Sequence, residues 1–125
     1  MKKIIAYFDK FCSKDDPYIF KYFARPLSSI LLFLIGKYIS ANQVTYLRII
    51  LVLTAFILMS FADNNIFKIG CIILLLNVVL DTLDGAIARK NDNASYWGKF
   101  LDGYTDAISL ALIPFACAIH ILINN

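Results

Sequence analysis

Asp81, Asp84, Asp102 and Asp106 are four of the chain's nine acidic residues, gathered within 26 positions between long apolar runs. At 100° per residue, Asp81 and Asp84 share a helical stripe with Gly85 and Ala88, while Asp102 and Asp106 share another. Two helices joined by a short turn can therefore aim four carboxylates at one point. A carboxylate at membrane depth costs about 2.5–3.5 kcal/mol on insertion scales, so acids in that setting are paired with cations. Two divalent cations would neutralise the four charges, and paired metals suit displacement at phosphate oxygens. Gly85 and Ala88 lack bulk on the acidic stripe, and Arg89 offers a forked donor for phosphate.

The elements that must hold these residues are membrane helices. The chain of 125 residues is 60% hydrophobic with a mean hydropathy of +0.70, whereas a soluble domain is about 45–50% apolar. An all-α integral membrane protein follows. Each span needs about 20 apolar residues, so the length allows one domain with a few spans. The basic residues border apolar segments and form no stripe of their own, which excludes nucleic acid as a partner. Cys12, Cys71 and Cys117 are odd in number and scattered, which fits small hydrophobes better than a disulfide framework or zinc site.

Taken in order, residues 3–12 form a short amphipathic helix suited to a membrane surface. Asp16-Pro17 opens an aromatic helix running to about Ala24, and Pro26 starts a third interfacial helix that ends near Gly36. The rival reading makes Pro26–Ile39 a tilted true span. Ser40-Ala-Asn42-Gln43 reads as a capping box that opens the first span, about 43–62. The others run over about 66–88 and 98–123, with Pro114 expected to bend the last. The chain thus divides into juxtamembrane helices (1–40) and a transmembrane catalytic domain (41–125). With three spans, eleven of the twelve basic residues fall on one side and only Lys68 on the other. The positive-inside rule then places the N-terminus and the acidic cluster on the cytoplasmic side of the inner membrane. Had Pro26–Ile39 crossed, the basic N-terminus and the Arg89–Lys99 loop would lie on opposite faces.

The acidic pattern, D-x2-D-G-x2-A-R-x8-G-x3-D-x3-D, is filled here by Asp81, Asp84, Gly85, Ala88, Arg89, Gly98, Asp102 and Asp106. It resembles the signature of the CDP-alcohol phosphotransferases, and Asn42-Gln-Val-Thr45-Tyr-Leu-Arg48 looks like the family's preceding span. The resemblance covers roughly residues 26–115. It implies displacement of CMP from a CDP-linked lipid or alcohol by an alcohol acceptor, commonly in phospholipid synthesis. It implies two magnesium ions, with manganese possible, on Asp81, Asp84, Asp102 and Asp106, and Asp106 as the general base. It further implies membrane lipids as surroundings and a homodimer. Ser95 matches a position where related enzymes place a hydroxyl near the nucleotide. Asn42 and Thr45 could line the same pocket, although capping or helix packing fits Ser95, Asn42 and Thr45 equally well. The family has six spans, so the chain is expected to be an N-terminal half that lacks much of the acceptor site.

Other readings stay open on the residues alone. The acids could pair as buried ions with Arg89, Lys90 and Lys99. Arg48 suits either a lipid headgroup or the substrate's phosphate. Asn77, one turn before Asp81, reads as an interhelical hydrogen-bond partner, Tyr96-Trp97 as an interfacial anchor, and His120 as too distant for chemistry. A membrane prenyltransferase also holds a magnesium diphosphate on aspartates, but the spacing of Gly85, Ala88 and Arg89 argues against it. A non-catalytic membrane subunit has only the short chain in its favour.

Overall fold

The computed structural model describes residues 6, 24–61, 63–91 and 95–124. The interfacial helices expected over 3–12 and 17–24 fall almost wholly outside the described residues. Among the described residues four helices follow in order: α1 (Arg25–Ile35), α2 (Ala41–Phe61), α3 (Asn64–Lys90) and α4 (Tyr96–Asn124). The last three are long and apolar enough to cross a membrane. At 11 residues α1 is about 16 Å long and cannot. The protein is an all-α integral membrane protein, and the three-span reading holds.

Local chemistry sets the helix ends. The Ser40 amide donates to Gln43 Oε1 at 2.9 Å, and the Gln43 amide donates to Ser40 Oγ at 3.3 Å. This is the reciprocal capping box expected before α2. Asp63 Oδ1 accepts from the Ile66 amide at 2.9 Å and caps α3. The Asp63-Asn64-Asn65 segment therefore opens α3, with Asp63 at the N-cap. Ser95 Oγ accepts from the Gly98 amide at 3.0 Å at the start of α4. Arg89 and Lys90 close α3, where cations favour the carbonyl end of the helix. Pro114 lies inside α4 without ending it.

The central element is α2. It packs along both α3 and α4, while α3 and α4 touch each other at few points at most. Gly70 permits the close approach of α2 and α3, since a Cβ there would stand 2.5 Å from Met59 Cγ and 3.2 Å from the Ala55 carbonyl oxygen. The main core cluster of Leu32, Val44, Leu83, Ala86 and Ile87 joins α1, α2 and the end of α3. Large side chains such as Ile50, Ile57, Ile72, Leu110 and Phe115 point outward. In water such a surface would aggregate, whereas lipid solvates it.

Polar contacts also fasten α1 to α3. Ser28, fully buried, donates from Oγ to the Val79 carbonyl at 2.7 Å and contacts Thr82 Oγ1. Thr82 stands between Asp81 and Asp84, so α1 braces the acid-bearing turn from behind. Ser28→Ala is expected to cost about 1 kcal/mol, the net value of one such bond. Thermal unfolding in detergent would register that loss, and an unchanged midpoint would count against the brace.

Candidate functional site

At one end of the bundle, the two acid-bearing helices are joined through α2. Arg48, about two turns into α2, is only 1% exposed. Its Nη1 donates to Asp84 Oδ2 at 2.8 Å and also to Asp102 Oδ1. Its Nη2 lies 2.6 Å from Asp81 Oδ1 and donates to Asp106 Oδ1 at 2.7 Å. Each terminal nitrogen therefore links one carboxylate of α3 to one of α4. The acids differ in depth. The Asp84 side chain is 5% exposed, whereas Asp81, Asp102 and Asp106 are 31%, 41% and 52% exposed. Asp84 forms the floor with Arg48, and the other three form the open rim.

The floor is held further by Thr45, whose Oγ1 lies 3.1 Å from Asp84 Oδ2 and 3.1 Å from the Ala41 carbonyl oxygen. Above it opens a cavity of about 280 Å³. Its walls include Asn42 and Thr45 from α2, Asp84, Gly85, Ala88 and Arg89 from α3, and Ser95, Gly98, Lys99 and Asp102 around the start of α4. All the nucleotide-pocket candidates read from the sequence thus face one space. Ser95 does two things there, capping α4 and lining the wall. The room at Gly85 is taken up partly by Arg89, whose Nη2 would be 3.3 Å from a Cβ at position 85. The small residue lets the guanidinium lie across α3 beside the cavity. If the cavity takes CDP, as the resemblance implies, Gly85→Leu is expected to displace that guanidinium, fill the cavity and weaken CDP binding about tenfold or more. Equilibrium dialysis with labelled CDP measures this, and unchanged affinity would show that the nucleotide sits elsewhere.

The sequence reading is modified in two respects. The four acids converge, but through α2 and not by direct packing of α3 against α4, and the cation facing all of them is Arg48. An arginine inside an apolar run needs an anionic partner, and that signal was present in the sequence. Asn77 is buried and makes no hydrogen bond through its Oδ1 to any described residue. Tyr96 and Trp97 stay exposed and off the cavity wall, with Trp97 stacked on Phe100 at 5.7 Å. His120 lies at the other end of the bundle, where Nε2 donates to Asn64 Oδ1 at 3.0 Å and its ring packs on Phe67.

The family model described as CDP-alcohol phosphatidyltransferase matches residues 38–124. The chain belongs to the CDP-alcohol phosphatidyltransferase family. Among curated relatives, the CDP-diacylglycerol–serine O-phosphatidyltransferase of Methanocaldococcus jannaschii is 34% identical over 95 residues, covering 75% of this chain and 40% of that protein. The archaetidylinositol phosphate synthase of Pyrococcus horikoshii is 36% identical over 100 residues, covering 80% and 52%. The phosphatidylinositol phosphate synthase of Streptomyces avermitilis is 33% identical over 94 residues, covering 75% and 38%. The chain thus spans about half the length of these relatives or less.

Members of this family use a divalent metal, and the donor set here fits one. Asp81, Asp102 and Asp106 each offer an oxygen, all within 4.8 Å of one another. Four carboxylates surround the one guanidinium of Arg48, and hard oxygen donors suit magnesium or manganese. Among the described residues nothing marks a dimer face, so the homodimer implied by the resemblance has no structural support.

Proposed function

We propose that the protein transfers a phosphatidyl or other phospho-alcohol group from a CDP-linked donor to an alcohol, releasing CMP, as a step of phospholipid synthesis. The observation that carries this reading is the meeting of four carboxylates from α3 and α4 around Arg48, two of them, Asp84 and Asp102, facing a cavity also lined by Arg89 and Lys99. Acids and fixed cations facing one space suit a ligand that is itself a diphosphate bridged by metal.

In this reading Asp81, Asp84, Asp102 and Asp106 hold two magnesium ions. When bound, the ions draw charge off the diphosphate and stabilise CMP as a leaving group. Asp84, fixed by Thr45 and Arg48, keeps the floor of the site rigid. Arg89 and Lys99 hold the phosphate oxygens, and Asn42, Thr45, Gly85, Ala88 and Ser95 shape the wall around the nucleotide. Asp106, the most exposed of the acids, takes the proton of the acceptor hydroxyl. The hydroxyl oxygen bonds to the phosphorus on the alcohol side of the diphosphate, and the bond from that phosphorus to the CMP oxygen breaks. The relatives' names point to serine and inositol phosphate as acceptor classes worth testing first. The catalytic assignment of 41–125 belongs to the same reading.

The basic residues support one side of the membrane for the site. Lys37, Arg89, Lys90 and Lys99 all lie at the acidic end of the three spans, and Lys68 lies toward the other. That asymmetry supports a cytoplasmic active site. The experiment is CMP release by purified protein in lipid nanodiscs, given CDP-diacylglycerol, magnesium and a panel of serine, inositol phosphate and glycerol phosphate. Release that requires both donor and one acceptor is expected. No CMP from any CDP-linked donor would overturn the reading, and consumption of a prenyl diphosphate without CMP would favour a prenyltransferase.

A further inference from the structure

Arg48 stands where cations are expected to bind. Its two terminal nitrogens each lie between an α3 carboxylate and an α4 carboxylate, contacting Asp81, Asp84, Asp102 and Asp106. A magnesium ion sits about 2.0–2.1 Å from its oxygen ligands. The Asp81, Asp84 and Asp106 oxygens bonded by Arg48 are 2.6–2.8 Å from its nitrogens. An ion on any of those three oxygens therefore cannot be further than about 5 Å from the guanidinium. Like charges that close repel, and the burial of Arg48 limits the screening on its side. We propose that Arg48 is a built-in competitor of the metal ions, a resident counter-ion for the aspartates that must give up part of its contacts as the ions bind.

Three features support the competition. Arg48 is buried and belongs to the helix that holds α3 and α4 apart, so its contacts supply the link that metals would otherwise supply. Its Nε makes no hydrogen bond to a described residue, so its polar contacts among the described residues are those of Nη1 and Nη2 with the four carboxylates. Its one charge cannot neutralise four, so the cluster keeps its pull on divalent ions. By linkage, whatever Arg48 gains from the carboxylates and loses on ion binding is subtracted from metal affinity. Metal occupancy is then set low enough to respond to the arrival of a diphosphate that brings its own oxygens.

The inference rests on the metal-site reading and is tested on the purified protein in detergent with manganese as the probe. Free Mn²⁺ is measured by electron paramagnetic resonance for wild type, Arg48→Met and Arg48→Lys, and melting is followed in EDTA and in Mn²⁺. Arg48→Met is expected to bind Mn²⁺ roughly tenfold more tightly. It should melt lower than wild type in EDTA and recover in Mn²⁺, so its metal-induced rise exceeds that of wild type. Arg48→Lys, which keeps the charge but reaches fewer carboxylates, should tighten binding by a smaller factor. It serves as the readout if the methionine variant does not fold. Equal or weaker Mn²⁺ binding in both variants overturns the competition while leaving the metal site standing. Absence of Mn²⁺ binding by wild type and variants alike overturns both.

Discussion

Asp106→Asn is expected to slow CMP release by about 10²–10⁴-fold, the usual worth of a positioned general base. The substitution keeps the side chain's shape but removes its ability to accept a proton, and it weakens one ligand of the proposed metal pair. Asp106 is the most exposed of the four acids and contributes one of four contacts to Arg48. The fold should therefore survive, with a melting point close to that of wild type. Initial rates at saturating donor and acceptor, read beside thermal unfolding, separate the two effects. A variant that melts like wild type and retains full activity would remove Asp106 from the chemistry. A further discriminator is the acceptor, since a base acting on the hydroxyl should be felt with every alcohol in the panel.

Removal of divalent ions is expected to have an effect at least as large. With the ions stripped by EDTA, the aspartate cluster and Arg48 carry a net charge of about −3, and a donor diphosphate entering beside them adds more of the same sign. Both binding and leaving-group stabilisation then fail together, so CMP release should fall by about 10³-fold or more and return on adding magnesium. Calcium is expected to restore less, because its longer, more variable coordination fits a different geometry from the octahedral shell of magnesium. Activity that persists undiminished in excess chelator would mean that Arg48, Arg89 and Lys99 alone handle the phosphate charge. The protein should remain folded through the stripping, because Arg48 ties the carboxylates together.

The three spans were legible because their apolar runs are long and their breaks carry capping residues with distinct chemistry. Ser40 with Gln43, Asp63 and Ser95 each close a helix N-terminus by the bond their side chains permit. The acidic stripes were legible for the same reason, since spacing on a helix fixes direction. Less visible was which helix lies between which. Hydrophobic periodicity in a lipid-facing bundle is weak, because lipid and neighbouring helices are equally apolar. Nothing local to α3 and α4 therefore says that α2 separates them. The role of Arg48 depends on that arrangement. It could be read as an intramembrane charge in need of a partner, but only the packing of α2 against both acid-bearing helices brings four partners to it. Asn77 shows the reverse, a polar residue read as an interhelical hydrogen-bond partner whose Oδ1 meets no donor among the described residues.

The most direct test is the position of a metal beside a nucleotide. Crystals grown with manganese and CDP, examined by anomalous scattering, should show manganese within coordination distance of Asp81, Asp102 and Asp106 and touching the diphosphate, with the cytidine in the cavity walled by Gly85, Ala88 and Ser95. Manganese bound away from the aspartates, or CDP seated elsewhere with the acids still held by Arg48 alone, would contradict the account.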